Sequence, residues 1–371
     1  MATNVAQVAN FDDWVDYFRV WQKDLGVDTS LLNDYTFGVK FGELPTKEIE
    51  FGSYKGESRW ESVLEIPDQR IRDSLLHLIV YQGDTEFASS EQQRNLLKNP
   101  PSNYDLQCAL RVMREEMRHG WQMSYLLVQY FGRAGKLEAQ KLLERRAYEG
   151  TRLLGAFNQD VHDWLDFYCY TALVDRDGKY QLTMLSRSSF KPLASSMGPM
   201  LQEEAFHLLS GHTGLSRIIR AGQVPIPIIQ RHINKWYSAA LDLFGVDHSN
   251  SAHWNYVWGL KGRFDESTAG TLEDPGELNE IARQQYRREV VEMLQALNRL
   301  LPEGQAPLSV PDHRFNRAVG VFAGKTYSTT GDLLPPNEYA LHVMQSLPSS
   351  RDKDILADLA KQPGWILPVG S

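Results

Sequence analysis

The amino-acid sequence predicts an all-α protein, a four-helix bundle with additional helices and irregular N- and C-terminal extensions. Apolar residues recur at helical period through most long segments, and capping residues and prolines mark where those segments start and stop. The placement of four acids and two histidines then decides how the helices must face one another.

Asn10 suits the cap of a first helix, whose Trp14, Tyr17, Phe18, Trp21 and Leu25 form one apolar stripe behind Asp12 and Asp13. From Leu32 to about Ser62, Gly and Pro break the pattern and the chain reads as irregular. Pro67 suits the first position of a helix running towards Leu97, which Pro100-Pro101 stops. Ser102 with Asp105 resembles a capping box that opens a third long helix, reaching to about Phe131. A charged helix is expected over 136–148. Another begins near Asp160 and continues past Asp175 if Gly178 is tolerated inside it. A further helix carries Glu204 and His207 and ends around Gly211 to Gly214, and later ones are expected over 228–244 and 275–301. The expected organisation is an N-terminal helix and irregular segment (1–66), a helical core with accessory helices (67–301) and an extension wrapping it (302–371).

Composition narrows the function classes. An apolar share of 42% with 23% charged residues is that of an ordinary globular chain. A net charge of −8 argues against a nucleic-acid partner. Cys108 and Cys169 are the two cysteines and no CxxC occurs, which excludes a disulfide framework, a zinc ribbon and an iron–sulfur cluster within the chain. The start, MATNVAQVANFDDW, lacks a basic region followed by an apolar one. The most apolar run, from Leu75 to Tyr81, contains His77 and is too short to span a bilayer. A cytoplasmic protein with no membrane partner is expected.

The chemistry lies in a doubled motif. Glu116-Met117-Arg118-His119 and Glu204-Ala205-Phe206-His207 are both Glu-x-x-His units, and the i, i+3 spacing puts each pair on one helix face. Each has an acid about one helix upstream: Glu86 lies 30 residues before Glu116, and Asp175 lies 29 before Glu204. The half-sites therefore repeat at an offset of 88 to 89 residues. This is the ligand set of a ferritin-like, carboxylate-bridged two-metal site, with one Glu shortened to Asp. Glu86 falls on the stripe of Ile71, Leu75, Leu78 and Gln82, and Glu116 and His119 on that of Val112, Met113, Gly120 and Met123, so all should be buried. Buried carboxylates are costly unless a cation neutralises them. Oxygen and imidazole donors suit iron or manganese, and iron with open positions reacts with O₂. The context of Asp175, Asp175-Arg176-Asp177-Gly178, leaves a turn as the lesser alternative, and it is not a calcium-binding loop, since the third acid before the Gly and the closing Glu are absent.

At these residues the chain resembles the oxygenase components of benzoyl-CoA 2,3-epoxidases, and more distantly it is similar to the catalytic subunits of phenylacetyl-CoA epoxidases. The resemblance rests on Tyr81-Gln82-Gly83-Asp84-Thr85-Glu86, Glu91-Gln92-Gln93-Arg94, Glu115-Glu116 with Arg118-His119, Leu154-Gly155-Ala156-Phe157-Asn158, Asp175-Arg176-Asp177-Gly178-Lys179 and Glu203-Glu204-Ala205. It continues through Gly214-Leu215-Ser216-Arg217 and Asp242-Leu243-Phe244-Gly245 to Gly259-Leu260-Lys261-Gly262-Arg263. It implies that Glu86, Glu116, His119, Asp175, Glu204 and His207 bind two irons, with Glu116 or Glu204 bridging and Gln82 beside the site. It also implies O₂-dependent epoxidation of an aromatic ring held as a CoA thioester, with electrons from a separate NADPH-dependent reductase carrying flavin and iron–sulfur clusters. The absence of a GxGxxG, a P-loop and a cysteine cluster here agrees with a separate reductase.

The chain departs from that family at Phe87, where Pro is usual, and at Phe206, where His is usual. It is also shorter at the N-terminus and after Arg263. Gly198-Pro199 should start or kink the helix before Glu204. Arg217, Arg220, Arg231, Lys235, Lys261 and Arg263 are candidates for gripping CoA phosphates. Gln82, Met113, Gly120, Met123, Thr171, Ala172 and Met200, one turn from the ligands, are the expected lining of an apolar chamber. Three alternatives stand beside this reading: a ferroxidase or storage protein, a radical-storing subunit, and an oxygenase acting on a free or carrier-protein-tethered aromatic acid.

Overall fold

The structure is a computed structural model that describes residues 7–32, 34–246, 249–266 and 278–370. Among these residues it is helical with no strand, only three isolated bridges such as Trp60 with Phe190. Four long helices form the bundle: α2 (Gln69–Gln93), α3 (Asn103–Tyr130), α5 (Trp164–Leu185) and α6 (Lys191–Ala221). α2 pairs with α3, α5 pairs with α6, and α3 meets α6. Around them lie α1 (Phe11–Asp24), α4 (Gly132–Glu144), α7 (Ile226–Leu243), α8 (Asn250–Val257), α9 (Glu280–Asn298), α10 (Pro336–Ser346) and α11 (Ser350–Leu359). No described helix is long and apolar enough to cross a membrane.

Local chemistry accounts for the helix starts. Asn10 and Asp13 form a capping box at α1. Ser102 accepts from the Asp105 N–H at α3, and Asp163 accepts from Leu165 and Asp166 at α5. At α2 the cap is Asp68, so Pro67 lies outside the helix rather than at its first position. α4 begins at Gly132, four residues before the expected start, and ends at Glu144, where Arg145 turns to extended backbone. The expected start of the later helix at Pro275 lies outside the described residues, and α9 is seen from Glu280. Periodicity in the Pro- and Gly-rich tail does not reveal α10 and α11. Leu308, Leu356 and Trp365 nevertheless pack into the apolar cluster of α5, α7 and α9.

α6 corrects two expectations. It begins at Lys191 and runs through Pro199, so Gly198-Pro199 does not start it. A proline cannot donate to the carbonyl four residues back. That carbonyl, on Ser195, accepts instead from the Gly42 N–H at 2.7 Å, so the irregular segment 34–62 supplies the missing donor. Nor does α6 stop at Gly211 to Gly214; it ends at Ala221, where Gly222 adopts φ +66°. Gly211 and Gly214 are sites of close packing. A Cβ on Gly211 would lie 2.5 Å from the Ala172 backbone nitrogen, and one on Gly214 would lie 2.1 Å from the Tyr168 ring.

Among the described residues the apolar interior falls into two clusters. One holds the C-terminal end of α2, the start of α3, most of α5 and the last turns of α6. The other joins α1 and α4 to the first half of α2, the second half of α3 and the start of α6. A layer of buried polar side chains crosses the bundle near mid-length between them. At one end, Asp105 ties three helices together, accepting from Tyr168 Oη at 2.5 Å and from Arg217 Nη1 at 2.6 Å.

Two measurements check this packing. Gly211→Ala should destabilise the protein by about 1–3 kcal/mol in denaturant titration, because backbone atoms stand in the way. Gly198→Ala, where a Cβ meets nothing within 4 Å, should be neutral or stabilising by about 0.5–1 kcal/mol. Asp105 is desolvated, yet Arg217, Ser102 and Tyr168 outweigh that and hold its carboxyl below the usual 3.8. Its contribution is complete above that unfolded-state value and is lost as pH falls towards the depressed native one. Asp105→Asn should therefore cost about 3–5 kcal/mol at neutral pH, with the gap from wild type closing below about pH 3.8.

Candidate metal centre

The four bundle helices bring Glu86, Glu116, His119, Asp175, Glu204 and His207 together in the polar layer. None is more than 6% exposed. Two groups of ligand atoms lie within 4.8 Å of one another: Glu86, Glu116 and His119, and Glu116, Asp175 and His207. Glu116 belongs to both. Glu204 also spans the two halves, its Oε1 being 3.7 Å from His119 Nδ1 and its Oε2 3.3 Å from His207 Nδ1. His119 Nδ1 is 3.3 Å from Glu86 Oε2, and His207 Nδ1 is 3.6 Å from Asp175 Oδ2 and 3.5 Å from Glu116 Oε1.

The imidazoles are aimed from behind. His119 Nε2 lies 2.9 Å from Glu203 Oε2, and His207 Nε2 lies 3.1 Å from Glu115 Oε2. Each carboxylate immediately before a ligand Glu thus holds the histidine of the other half-site. A proton kept on Nε2 in this way leaves the Nδ1 lone pair facing the centre. Arg118, fully buried, donates to Glu203 from Nε at 2.8 Å and also from Nη2, and Lys40 Nζ approaches Glu203 at 2.7 Å. Arg111 does the equivalent for Glu115 at 2.9 Å. Sequence reasoning missed the orienting role of Glu115 and Glu203, although the doubled acids Glu115-Glu116 and Glu203-Glu204 are its visible trace.

Electrostatics marks the centre as short of positive charge. Burial, then the neighbouring Glu86, Glu204 and Asp175, push the Glu116 carboxyl well above its usual range. Burial and Glu204 do the same to Asp175. His207 rises well above 6.5, since Glu204, Glu115 and Asp175 overcome the burial that opposes its charge. Asp175 Oδ2, Glu204 Oε2 and His207 Nδ1 are buried without a hydrogen-bond partner. Such atoms are expensive unless a cation meets them. Four carboxylates and two imidazoles with no thiolate fit two divalent ions that favour oxygen and nitrogen. Asp163, Asp166 and His232 form another compact group, but the Lys235 ammonium already sits 2.9 Å from Asp166 Oδ1 and Trp236 Nε1 donates to that oxygen at 2.8 Å.

A cavity of about 560 Å³ opens onto the layer, with Glu86, Glu116, Asp175 and Glu204 in its wall. It follows the groove between α2 and α5, past Leu78, Gln82, Val174 and Leu182, and is bordered by 154–157, 243–246, 249–255 and 278–279. Gln82 is the one residue of the expected chamber lining that borders it, and its Nε2 donates to Glu86 Oε1 at 2.5 Å. Met113, Gly120, Met123, Thr171, Ala172 and Met200 do not line it. Helical period places them towards the core but does not say which side of the core is open. A Cβ on Gly120 would strike the Phe87 ring at 2.6 Å, and Met123 backs onto Gly83 of α2. Among the candidate phosphate-gripping cations only Lys261 reaches the cavity wall. Arg217, Arg231, Lys235 and Arg263 are paired with Asp105, Asp352, Asp166 and Asp265.

Residues 64–320 match the family described as phenylacetic acid catabolic protein. The chain is 36% identical to benzoyl-CoA oxygenase component B of Aromatoleum evansii over 369 aligned residues, covering 87% of this chain and 77% of that one. It is 24% identical to a 1,2-phenylacetyl-CoA epoxidase subunit of Escherichia coli (strain K12) over 180 residues, 48% of this chain and 57% of the relative. With most of its length matched and the bundle helices inside the matched span, the chain belongs to the phenylacetic acid catabolic protein family.

Proposed function

We propose that the protein is a di-iron oxygenase that uses O₂ to epoxidise or hydroxylate the aromatic ring of an aryl-CoA thioester such as benzoyl-CoA. The observation that carries this reading is the pair of ligand groups sharing Glu116, opening directly onto an organic-sized chamber. Glu86, Glu116 and His119 would hold one metal, and Asp175, Glu204 and His207 the other, with Glu116 and Glu204 placed to bridge. When bound, reduced iron supplies the electrons and open positions that activate O₂. Electrons would come from a separate NADPH-dependent flavin and iron–sulfur reductase, because this chain carries no cluster cysteines and no dinucleotide fingerprint.

The chain's own residues do the rest. Glu115 and Glu203 keep protons on the outer nitrogens of the imidazoles and fix the ring orientations. Gln82 holds Glu86 through one oxygen and borders the chamber, where it can also face a bound ring. Leu78, Leu154, Phe157, Val174 and Leu182 provide the apolar wall an arene needs and keep water from the reacting face. A chamber of about 560 Å³ beside the carboxylates serves an organic substrate and has no use in iron storage.

Purified protein should carry about two irons per chain. Glu116→Ala and His207→Ala should each abolish iron binding and activity together, whereas Glu203→Gln should weaken metal affinity about 10- to 100-fold. Full iron occupancy in both alanine variants would falsify the ligand assignment. A second experiment concerns the chamber: Leu78→Trp should fill the wall about 12 Å along α2 from Glu86, eight residues at 1.5 Å each. That variant should retain both irons yet lose benzoyl-CoA-stimulated O₂ consumption by at least about tenfold. Turnover at the wild-type rate would move the chamber elsewhere.

A further inference from the structure

Among the described residues, three of the buried side-chain atoms without a hydrogen-bond partner belong to residues lining the chamber. Two are Asp175 Oδ2 and Glu204 Oε2 in the metal layer. The third, Asn255 Oδ1, is far from any proposed metal ligand in the chain and belongs to α8, the helix that closes the groove. Asn255 is 8% exposed, and its own carbonyl is fixed by the N–H groups of Leu260 at 2.8 Å and Lys261 at 3.1 Å. The backbone at Asn255 is therefore fixed, while Oδ1 of its side chain has no partner among the described residues.

Its polar neighbours are already engaged with one another. Gln181 Nε2 donates to Asp177 Oδ1 at 2.9 Å, and Lys261 Nζ donates to Gln181 Oε1 at 2.7 Å and to Asn279 Oδ1 at 3.3 Å. All four of these residues line the same cavity. Lys261 thereby anchors the segment carrying Asn255 to Gln181, six residues beyond Asp175 and about 9 Å further along α5. Beyond an apolar section that includes Val174 and Leu182, the wall is thus polar about 9 Å along α5 from Asp175, with one buried carboxamide left over.

We propose that Asn255 binds an amide of the pantetheine arm of a thioester substrate and so selects thioesters over free aromatic acids. This rests on the aryl-thioester reading above. A ring placed against Glu116 and Glu204 puts its thioester sulfur down the groove and the first amide of the arm a two-carbon linker beyond it. A secondary amide offers one N–H and one C=O, which is what a carboxamide needs on both of its sides. A free carboxylate extends no further than the apolar section and brings no N–H. The same arm occurs in CoA and on acyl carrier proteins, and Asn255 would recognise what the two share.

The test uses calorimetric binding to the iron-loaded full chain, with benzoyl-CoA, benzoyl-pantetheine, a benzoyl-loaded carrier protein and benzoate. Wild type should bind both small thioesters at least about tenfold more tightly than benzoate. Asn255→Ala should weaken each of them about five- to tenfold, the loss of one hydrogen bond, while leaving benzoate unchanged. Because the protein itself makes no bond to this carboxamide, the variant should melt at or above the wild-type temperature, which a purely structural residue would not do. Equal weakening of thioesters and benzoate, no weakening of either, or an effect confined to benzoyl-CoA and absent with benzoyl-pantetheine would each overturn the assignment. The carrier-protein arm separates the two sources: weakening there as well supports the shared-arm contact. Failure of wild type to bind any of the aryl ligands would instead remove the aryl-thioester reading on which this inference stands.

Discussion

Four carboxylates buried between two apolar clusters are the costliest feature of this molecule, and much of the bundle is organised around making them tolerable. Ionised acids in a low-dielectric interior repel one another and lose their hydration. The alternatives are protons or cations. Glu116 and Asp175 show the first in their raised carboxyl values, and the convergence of orphaned oxygens and a bare imidazole nitrogen shows what favours the second. Neither works unless the side chains are held in place, because a carboxylate free to rotate would turn away towards any available donor. Hence the outer shell. Arg118, itself without solvent exposure, is matched to Glu203, which in turn fixes His119.

The shell has an internal symmetry that follows from the repeat in the chain. Glu115 supports His207 and Glu203 supports His119, so each half-site is oriented by the other and neither is complete alone. Close helix approach repeats with it. Gly83, three residues before Glu86, lies against Met123, four residues after His119, where a Cβ would meet the Met123 Cβ at 3.1 Å. In the second half the same contact joins Ala172, three before Asp175, to Gly211, four after His207. The small residue has moved from one partner helix to the other, but the position one turn from the ligands is the same. Short interhelical distance at that level is what lets short acids and imidazoles from different helices reach a common centre.

Features encoded within one helix were legible in the sequence, and those depending on a neighbouring element were not. The i, i+3 units and their upstream acids could be placed because a helix fixes which side chains share a face. Asn10 and Ser102 were legible as caps for the same local reason. Pro199 misled because the remedy for its missing hydrogen bond comes from Gly42, more than 150 residues away in the chain. Gly211 and Gly214 read as a helix end because glycine signals both termination and close packing, and only the presence of Ala172 and Tyr168 opposite decides between them. The chamber was misplaced for a related reason. Period identifies a core-facing stripe, and a bundle core has more than one side.

Which side opens is settled outside the four helices. Around Phe87, the rings of Trp14, Phe18 and Trp21 from α1 lie 5.0–6.3 Å away, and Phe87 itself occupies the space over Gly120. That face is plugged. Between α2 and α5 the covering elements stand off instead. The connection after α4 is held by Arg152, which meets Asp84 at 3.1 Å and Glu91 at 2.8 Å, while Asp84 accepts from the Leu153 N–H at 2.7 Å. Both acids project from α2, within five residues of the proposed ligand Glu86. The loop that presents Leu154 and Phe157 to the chamber is therefore registered against the same helix that presents Glu86 and Gln82. Two nearly equivalent half-sites could have faced a substrate from either side. Aromatic packing by α1 and an ion-paired loop after α4 break that equivalence, so the open face is chosen by accessory segments while the bundle supplies the proposed metal ligands common to both.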